Sequence, residues 1–253
     1  MDKQKFEEAR RKIITFDERE RHGIGMQMEK TLHAVLKYYE DPDDDHQEIP
    51  IENYIADIYT GSEIIEIQNG NFYKMRGKLD TFLPMYPVKI VYPIPHVKYV
   101  TWIDPETGAV GKKNKSPKKG SFYDAFRELY RIRPYLGKTN LTIDLMLIDM
   151  DEYRLQDGWG SNGKRGSHRY DRIPKELTDE LVLSSPADYL AFLPYDLPDE
   201  FTSGDVAKAA GRRPDGFSTV LQILTGLGVV ERTGQKRGRA YLYRISEKYS
   251  DSR

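Results

Sequence analysis

The chain has 253 residues, enough for one large or two modest domains with a buried core. Lys+Arg and Asp+Glu nearly cancel, 39 against 40, so net charge names no partner, while 31% charged content implies a polar surface. There is no cysteine, which removes disulfides, thiolate metal sites and cysteine nucleophiles.

No apolar run nears the roughly 18 to 20 residues of a membrane span, and the polar start MDKQKFEEARRK does not read as a signal peptide. A cytoplasmic protein with no membrane partner is expected. Residues 1 to 22 are dense in charge and read as an exposed helix or a loosely ordered arm. From Ile24, apolar residues recur at helical spacing through Met28, Leu32, Val35, Leu36 and Tyr39. The acidic turn EDPDDD should stop that helix, because Pro42 cannot continue it.

Three short β-type runs follow, EIPI, NYIADIYT and SEIIEIQ. Next comes a second helix, FYKMRGKLDTFL, striped by Phe72, Met75, Leu79 and Phe82. VKIVYPI then reads as a buried strand. Residues 24 to 94 thus read helix, three strands, helix, strand. KYVTWIDPETGAVGKK looks like a hairpin turning at Asp-Pro-Glu-Thr-Gly. SFYDAFRELYRIRPYL reads as a helix, LTIDLMLIDMDEYRL begins as another buried strand, and DGWGSNGKRGSHRYDR reads as a basic, Gly-rich loop. That loop carries Lys164, Arg165, His168 and Arg169 and is able to close over a substrate or to stand empty.

Near residue 195, LPYDLPDEF makes a linker. Two short helical patterns and a basic-tipped hairpin, VVERTGQKRGRAYLYRI, complete the chain. From Glu200 onward ten Lys/Arg face six Asp/Glu, an excess of four in an otherwise slightly acidic protein.

The chemistry concentrates in ADIYTGSEIIEIQNG. Glu66 and Gln68 alternate to one face of their strand, and Asp57 ends the strand before it. Two carboxylates converging at a sheet edge can hold Mg²⁺ or Mn²⁺ through oxygen. Glu29 flanks the apolar stripe of the first helix and offers a third acid, whereas His33, four residues on, reads as a surface histidine.

A helix Glu, then Asp, eight residues and Glu-x-Gln in an αβββαβ order resembles the PD-(D/E)XK nuclease superfamily over about residues 24 to 94. The resemblance implies an α/β (α+β) fold with a restriction-endonuclease-like core. It also implies a metal-dependent phosphodiester hydrolase. Asp57 and Glu66 would be metal ligands, Glu29 an auxiliary acid, and Gln68 would stand where the superfamily has lysine. An amide can hold water but carries no charge for the transition state. Lys74 and Lys78, at i and i+4 on the next helix, could supply that charge.

The C-terminal order of helix, Gly turn, helix and hairpin resembles a winged helix-turn-helix. Arg212, Arg213, Ser218, Thr219 and Gln222 would face a DNA groove, and Lys236, Arg237 and Arg239 would sit on the wing. Such modules also serve protein contacts. The implied organisation is a nuclease-like domain over 1–190 (core about 24–94, extended by 95–190) and a winged helix over 196–253. The implied partner is nucleic acid, double-stranded DNA before RNA, with a homodimer left open. The other reading is a catalytically inactive DNA-binding or regulatory protein that uses a degenerate nuclease fold for protein contact.

Overall fold

The computed structural model describes residues 1–20, 31–156 and 168–252. The protein is α+β. A seven-stranded sheet runs in the order β1-β2-β3-β4-β6-β7, with β5 paired to β4, and a separate two-stranded sheet joins β8 to β9. The helices are α1 (Lys3–Glu20), α2 (Thr31–Glu40), α3 (Met75–Phe82), α4 (Phe126–Leu129), α5 (Ser203–Ala209) and α6 (Phe217–Gly226). The strands of the large sheet are β1 (Gln47–Ile51), β2 (Tyr54–Tyr59), β3 (Ile64–Ile67), β4 (Val88–Ile103), β5 (Asn114–Lys115), β6 (Leu141–Leu155) and β7 (His168–Leu183). The small sheet holds β8 (Val230–Arg237) and β9 (Ala240–Ile245).

The chain folds as two compact units whose segments interleave in sequence. The first holds Met1–Asn69, Pro93–Ser121 and Met146–Glu180; the second holds Gly70–Tyr92, Phe122–Leu145 and Leu181–Arg253.

In the first unit, α2 buries Leu32, Val35, Leu36 and Tyr39, the described part of the predicted stripe. The charged N-terminal segment is a helix, and it is not exposed all round. α1 buries Phe6 and Ala9, and the Phe6 ring meets Tyr39 edge to face at 5.7 Å. The β1–β2–β3 meander forms, β2 burying the alternate residues Ala56 and Ile58 while β3 is buried on both faces, Ile64, Ile65, Glu66 and Ile67 alike. Asp104 accepts hydrogen bonds from the backbone N–H groups of Glu106 and Thr107, which fixes the predicted turn between β4 and β5.

Three expectations change. VKIVYPI and KYVTWI are one strand of 16 residues that passes through Pro93 and Pro95. The predicted helix over 121–136 is a chain of short turns around the four-residue α4, although Phe126, Leu129 and Ile132 are buried at the expected spacing. His168 and Arg169, expected in a loop, begin the 16-residue β7. Lys164 and Arg165 lie outside the described residues.

In the second unit an aromatic core joins distant segments. Tyr123 lies 5.6 Å from Phe192 and 5.0 Å from Phe217, and Phe126 packs edge to face on Phe192 at 4.6 Å. α5 opens with a reciprocal cap: Thr202 Oγ1 accepts from the Asp205 N–H while the Asp205 carboxylate accepts from the Thr202 N–H.

Candidate functional site

The strand register builds a row of acids. Pairs Gln47–Ile58 and Ile49–Ala56 bracket Glu48 opposite Asp57 on one side of β2. On the other side, pairs Tyr59–Ile64 and Ile58–Ile65 lead to Glu66 opposite Asp57. Glu48, Asp57 and Glu66 therefore occupy neighbouring positions on three adjacent strands. Like charges placed opposite one another across strands are destabilising, so the row calls for positive charge.

Each acid is held differently. Asp57 Oδ2 accepts a 2.7 Å hydrogen bond from the Ile67 N–H, so the side chain takes over where the β2–β3 pairing ends. Glu66 is fully buried and has a polar partner of its own. Glu48 adopts φ 54°, a left-handed backbone that only two other non-glycine residues share among those described. Such conformations cost about 1 to 3 kcal/mol and gather at functional sites.

The compensating charge comes from α2. His33 and Lys37, at i and i+4, project from one face of that helix. Lys37, with only 4% of its side chain exposed, donates to Glu48 Oε1 at 2.7 Å, and His33 Nε2 lies 3.6 Å from Asp57 Oδ2. One ligand atom each from His33, Glu48 and Asp57 falls within 4.8 Å of the others. Two carboxylate oxygens and an imidazole nitrogen suit a divalent cation, and the imidazole suits Mn²⁺ better than Mg²⁺.

His33 is thus half-buried at the acid row, not a free surface histidine. Glu48 and Lys37 join the site without a local sequence pattern that marks them. The one signal for Glu48 is its nine-residue spacing from Asp57 (48 to 57), equal to that from Asp57 to Glu66, and it acquires meaning only once the register is known.

Glu29 lies outside the described residues. Gln68 is half-buried just beyond β3. Lys74, immediately before α3, is exposed, and Lys78 on α3 is half-buried; both belong to the second unit.

The expected DNA-facing residues lie on α6, the turn before it and the β8–β9 hairpin. Ser218 and Gln222 are exposed at i and i+4 on α6, opposite buried Val220, Leu221, Ile223 and Leu224, while Thr219 is half-buried. Arg212 is half-buried and Arg213 exposed. Arg237 and Ala240 pair to close the hairpin, leaving Gly238 (φ 64°) and Arg239 at its tip. Lys236 lies over the Tyr241 ring at 4.6 Å. Arg237 is already engaged, donating to Asp205 Oδ2 at 3.0 Å and to the Glu200 carbonyl at 3.3 Å.

No described helix is long and apolar enough to cross a membrane. Residues 30–184 match a family described as "Domain of unknown function (DUF8091)". The chain is also similar to an uncharacterised protein of Treponema pallidum (strain Nichols), 27% identical over 222 residues covering 85% of each chain. No solved structure matches.

Proposed function

The chain belongs to the DUF8091 family, whose match spans the whole acid row, and from that row we propose a divalent-cation-dependent hydrolase of DNA phosphodiesters. The observation that carries the reading is the convergence of His33, Glu48 and Asp57 within 4.8 Å. The register that puts Glu66 beside Asp57 extends it. His33, Asp57 and Glu48 would hold Mn²⁺ or Mg²⁺, with Glu66 buried on the neighbouring strand outside that three-residue cluster. When bound, such a cation supplies Lewis-acid activation of a phosphodiester oxygen and of water. Gln68 would orient water by hydrogen bonding, and Lys37 would supply positive charge from α2 in place of the lysine missing at position 68. The αβββαβ order from α2 to β4 agrees with the order the PD-(D/E)XK resemblance implies, and α5, α6 and the β8–β9 hairpin follow the order of a winged helix that would deliver the site to duplex DNA.

A second reading has its own support. Lys37 already pairs with Glu48 and His33 stands next to Asp57, so one of the acids has a charged partner without an ion. On that reading the protein binds DNA and does not cut it.

Purified protein incubated with plasmid and linear DNA in Mn²⁺ or Mg²⁺, beside Asp57→Asn and Glu66→Gln, separates the two. The hydrolase reading expects metal-dependent cleavage that both substitutions reduce to background while thermal melting shows them folded. Wild type that cuts no better than the folded variants in either metal leaves the non-catalytic reading.

A further inference from the structure

Glu152 on β6 is fully buried, and four cations converge on it within the first unit. Lys98 Nζ reaches Oε1 at 3.1 Å, and Arg154 Nε donates to the same oxygen at 2.6 Å. Arg172 Nε donates to Oε2 at 3.1 Å, and Arg169 Nε lies 3.5 Å from it. Among the described residues no other carboxylate contacts these four side chains, so four positive charges face one negative charge.

That excess is not neutral in its effect. Burial lowers the proton affinity of Lys98, and Arg154 and Arg172 lower it further although Glu152 opposes them. Arg169 is lowered by burial and then by Arg172. At Arg169 the repulsion of Arg172 outranks the attraction of Glu152, while at Lys98 burial is the larger cost, and buried cations of this kind are costly unless an anion completes them.

The donors suit one kind of anion. Glu152 engages the Nε edges of Arg169 and Arg172, and among the described residues the Nη groups of these two make no hydrogen bond. Planar guanidinium forks match the paired free oxygens of a phosphodiester. Arg154, whose Nη2 also meets Glu152 Oε1 at 2.5 Å, and Arg169 are 31% and 41% exposed, so part of each side chain is open to solvent. One flat ring lies beside them, Trp102 under the Arg154 guanidinium at 5.9 Å, and Tyr170, next to Arg169 in the chain, is 60% exposed. Phosphate-binding cations beside aromatic faces are the arrangement that holds single-stranded nucleic acid, with bases stacking on the rings.

We infer that Lys98, Arg154, Arg169 and Arg172, arrayed around buried Glu152, form a binding site for the phosphodiester backbone of a single nucleic-acid strand. The inference shares a nucleic-acid partner with the hydrolase reading but requires no cleavage, no metal and no winged helix.

The test uses the full chain with the double variant Arg154→Gln/Arg169→Gln and with the control Arg11→Gln. Fluorescence anisotropy follows a labelled oligothymidylate across a salt series in EDTA. The double variant should bind about ten-fold more weakly at moderate salt, and its log–log salt slope should be smaller by about 1.4, from two single-strand phosphate contacts at about 0.7 each. Arg11→Gln, which removes an exposed charge on α1, should bind as wild type does. Arg154→Lys/Arg169→Lys should recover most of the salt slope, because charge is kept and only the fork is lost.

A structural role predicts a different pattern. If the two arginines serve only to neutralise Glu152, the glutamine variant should melt lower than wild type and bind equally well, and that result overturns the inference. A binding site expects affinity and salt slope to fall whether or not the variant melts lower, since Arg154 also donates to buried Glu152. Inorganic phosphate that raises the wild-type melting temperature above an equal-ionic-strength chloride control, with oligonucleotide affinity unmoved by the variant, also overturns it.

Discussion

Glu152 shows how much a single side chain can carry. Burial alone would raise its pKa, but Arg172, Arg154 and Lys98 outweigh burial and hold the carboxyl at about 2 against an ordinary 4.5. A depressed carboxylate contributes stability that is fully present above its unfolded pKa and is lost as pH falls through the folded one. The contribution should therefore decline from about pH 4.5 down to about pH 2. Glu152→Gln removes the charge at every pH and leaves four cations without their shared partner. Removing one member of a buried ionic group costs about 3 to 5 kcal/mol, so this variant should unfold at clearly lower denaturant at pH 7. Its unfolding free energy should also lose much of the wild-type decline between pH 4.5 and 2. Equal midpoints at pH 7 would show that Glu152 does not hold the cluster together. Asp57 differs in kind: its hydrogen bond from the Ile67 N–H and the nearby His33 place it in a mixed polar setting open to a ligand atom.

At the level of elements, a close backbone approach sets one position. A Cβ built on Gly120 would lie 2.1 Å from the Pro95 carbonyl oxygen, while the Gly120 N–H donates to the His96 carbonyl at 2.9 Å. Backbone on both sides leaves little to yield, so Gly120→Ala should cost about 1 to 3 kcal/mol, with an unchanged m-value in urea unfolding. A variant as stable as wild type would mean that this crossing is loose. The strands around it differ in how far the sequence reveals them. β6 is legible at its start because LTIDLMLIDM is dense in buried apolar side chains, whereas its last residues DEYRL carry no such signal. β4 reads as two pieces because Pro93 and Pro95 look like breaks. Its neighbour β3 has four residues and β5 two, so much of one edge of the 16-residue β4 lacks a strand partner, and a missing N–H there breaks no ladder bond. β7 is hidden for the opposite reason. Two of its inward residues are charged: Asp171 accepts from Thr31, and Arg172 serves Glu152. Partners 140 and 20 residues away turn what looks like a polar loop into a buried strand, and no local pattern announces them.

Over the whole molecule, the acid row and the Glu152 cluster fall inside the DUF8091 match at 30–184, while α5, α6 and the β8–β9 hairpin lie beyond it. That division invites treating the C-terminal segment as a detachable module, yet its core is shared. Phe217 at the start of α6 packs 5.0 Å from Tyr123, and Tyr123 and Phe126 both pack on Phe192. The Tyr123 hydroxyl donates to the Phe192 carbonyl at 3.0 Å, tying two chain segments together beside α6. Elsewhere in the same unit, Leu227 lies against Gly137. A chain ending at residue 196 would leave these rings uncovered, and aromatic side chains dominate core energetics, each burying roughly 150 to 250 Å². Residues 1–196 should therefore bind a hydrophobic dye strongly and unfold with a broad transition at lower temperature than the full chain. A truncated protein that melts sharply at the full-length midpoint would instead make the C-terminal segment an appendage. If the truncation fails as expected, DNA binding by α6 and the wing must be tested by Lys236→Gln/Arg239→Gln in the full chain. Both residues are exposed and lie outside the aromatic core, so a fall in duplex affinity at constant melting temperature would report the interface alone.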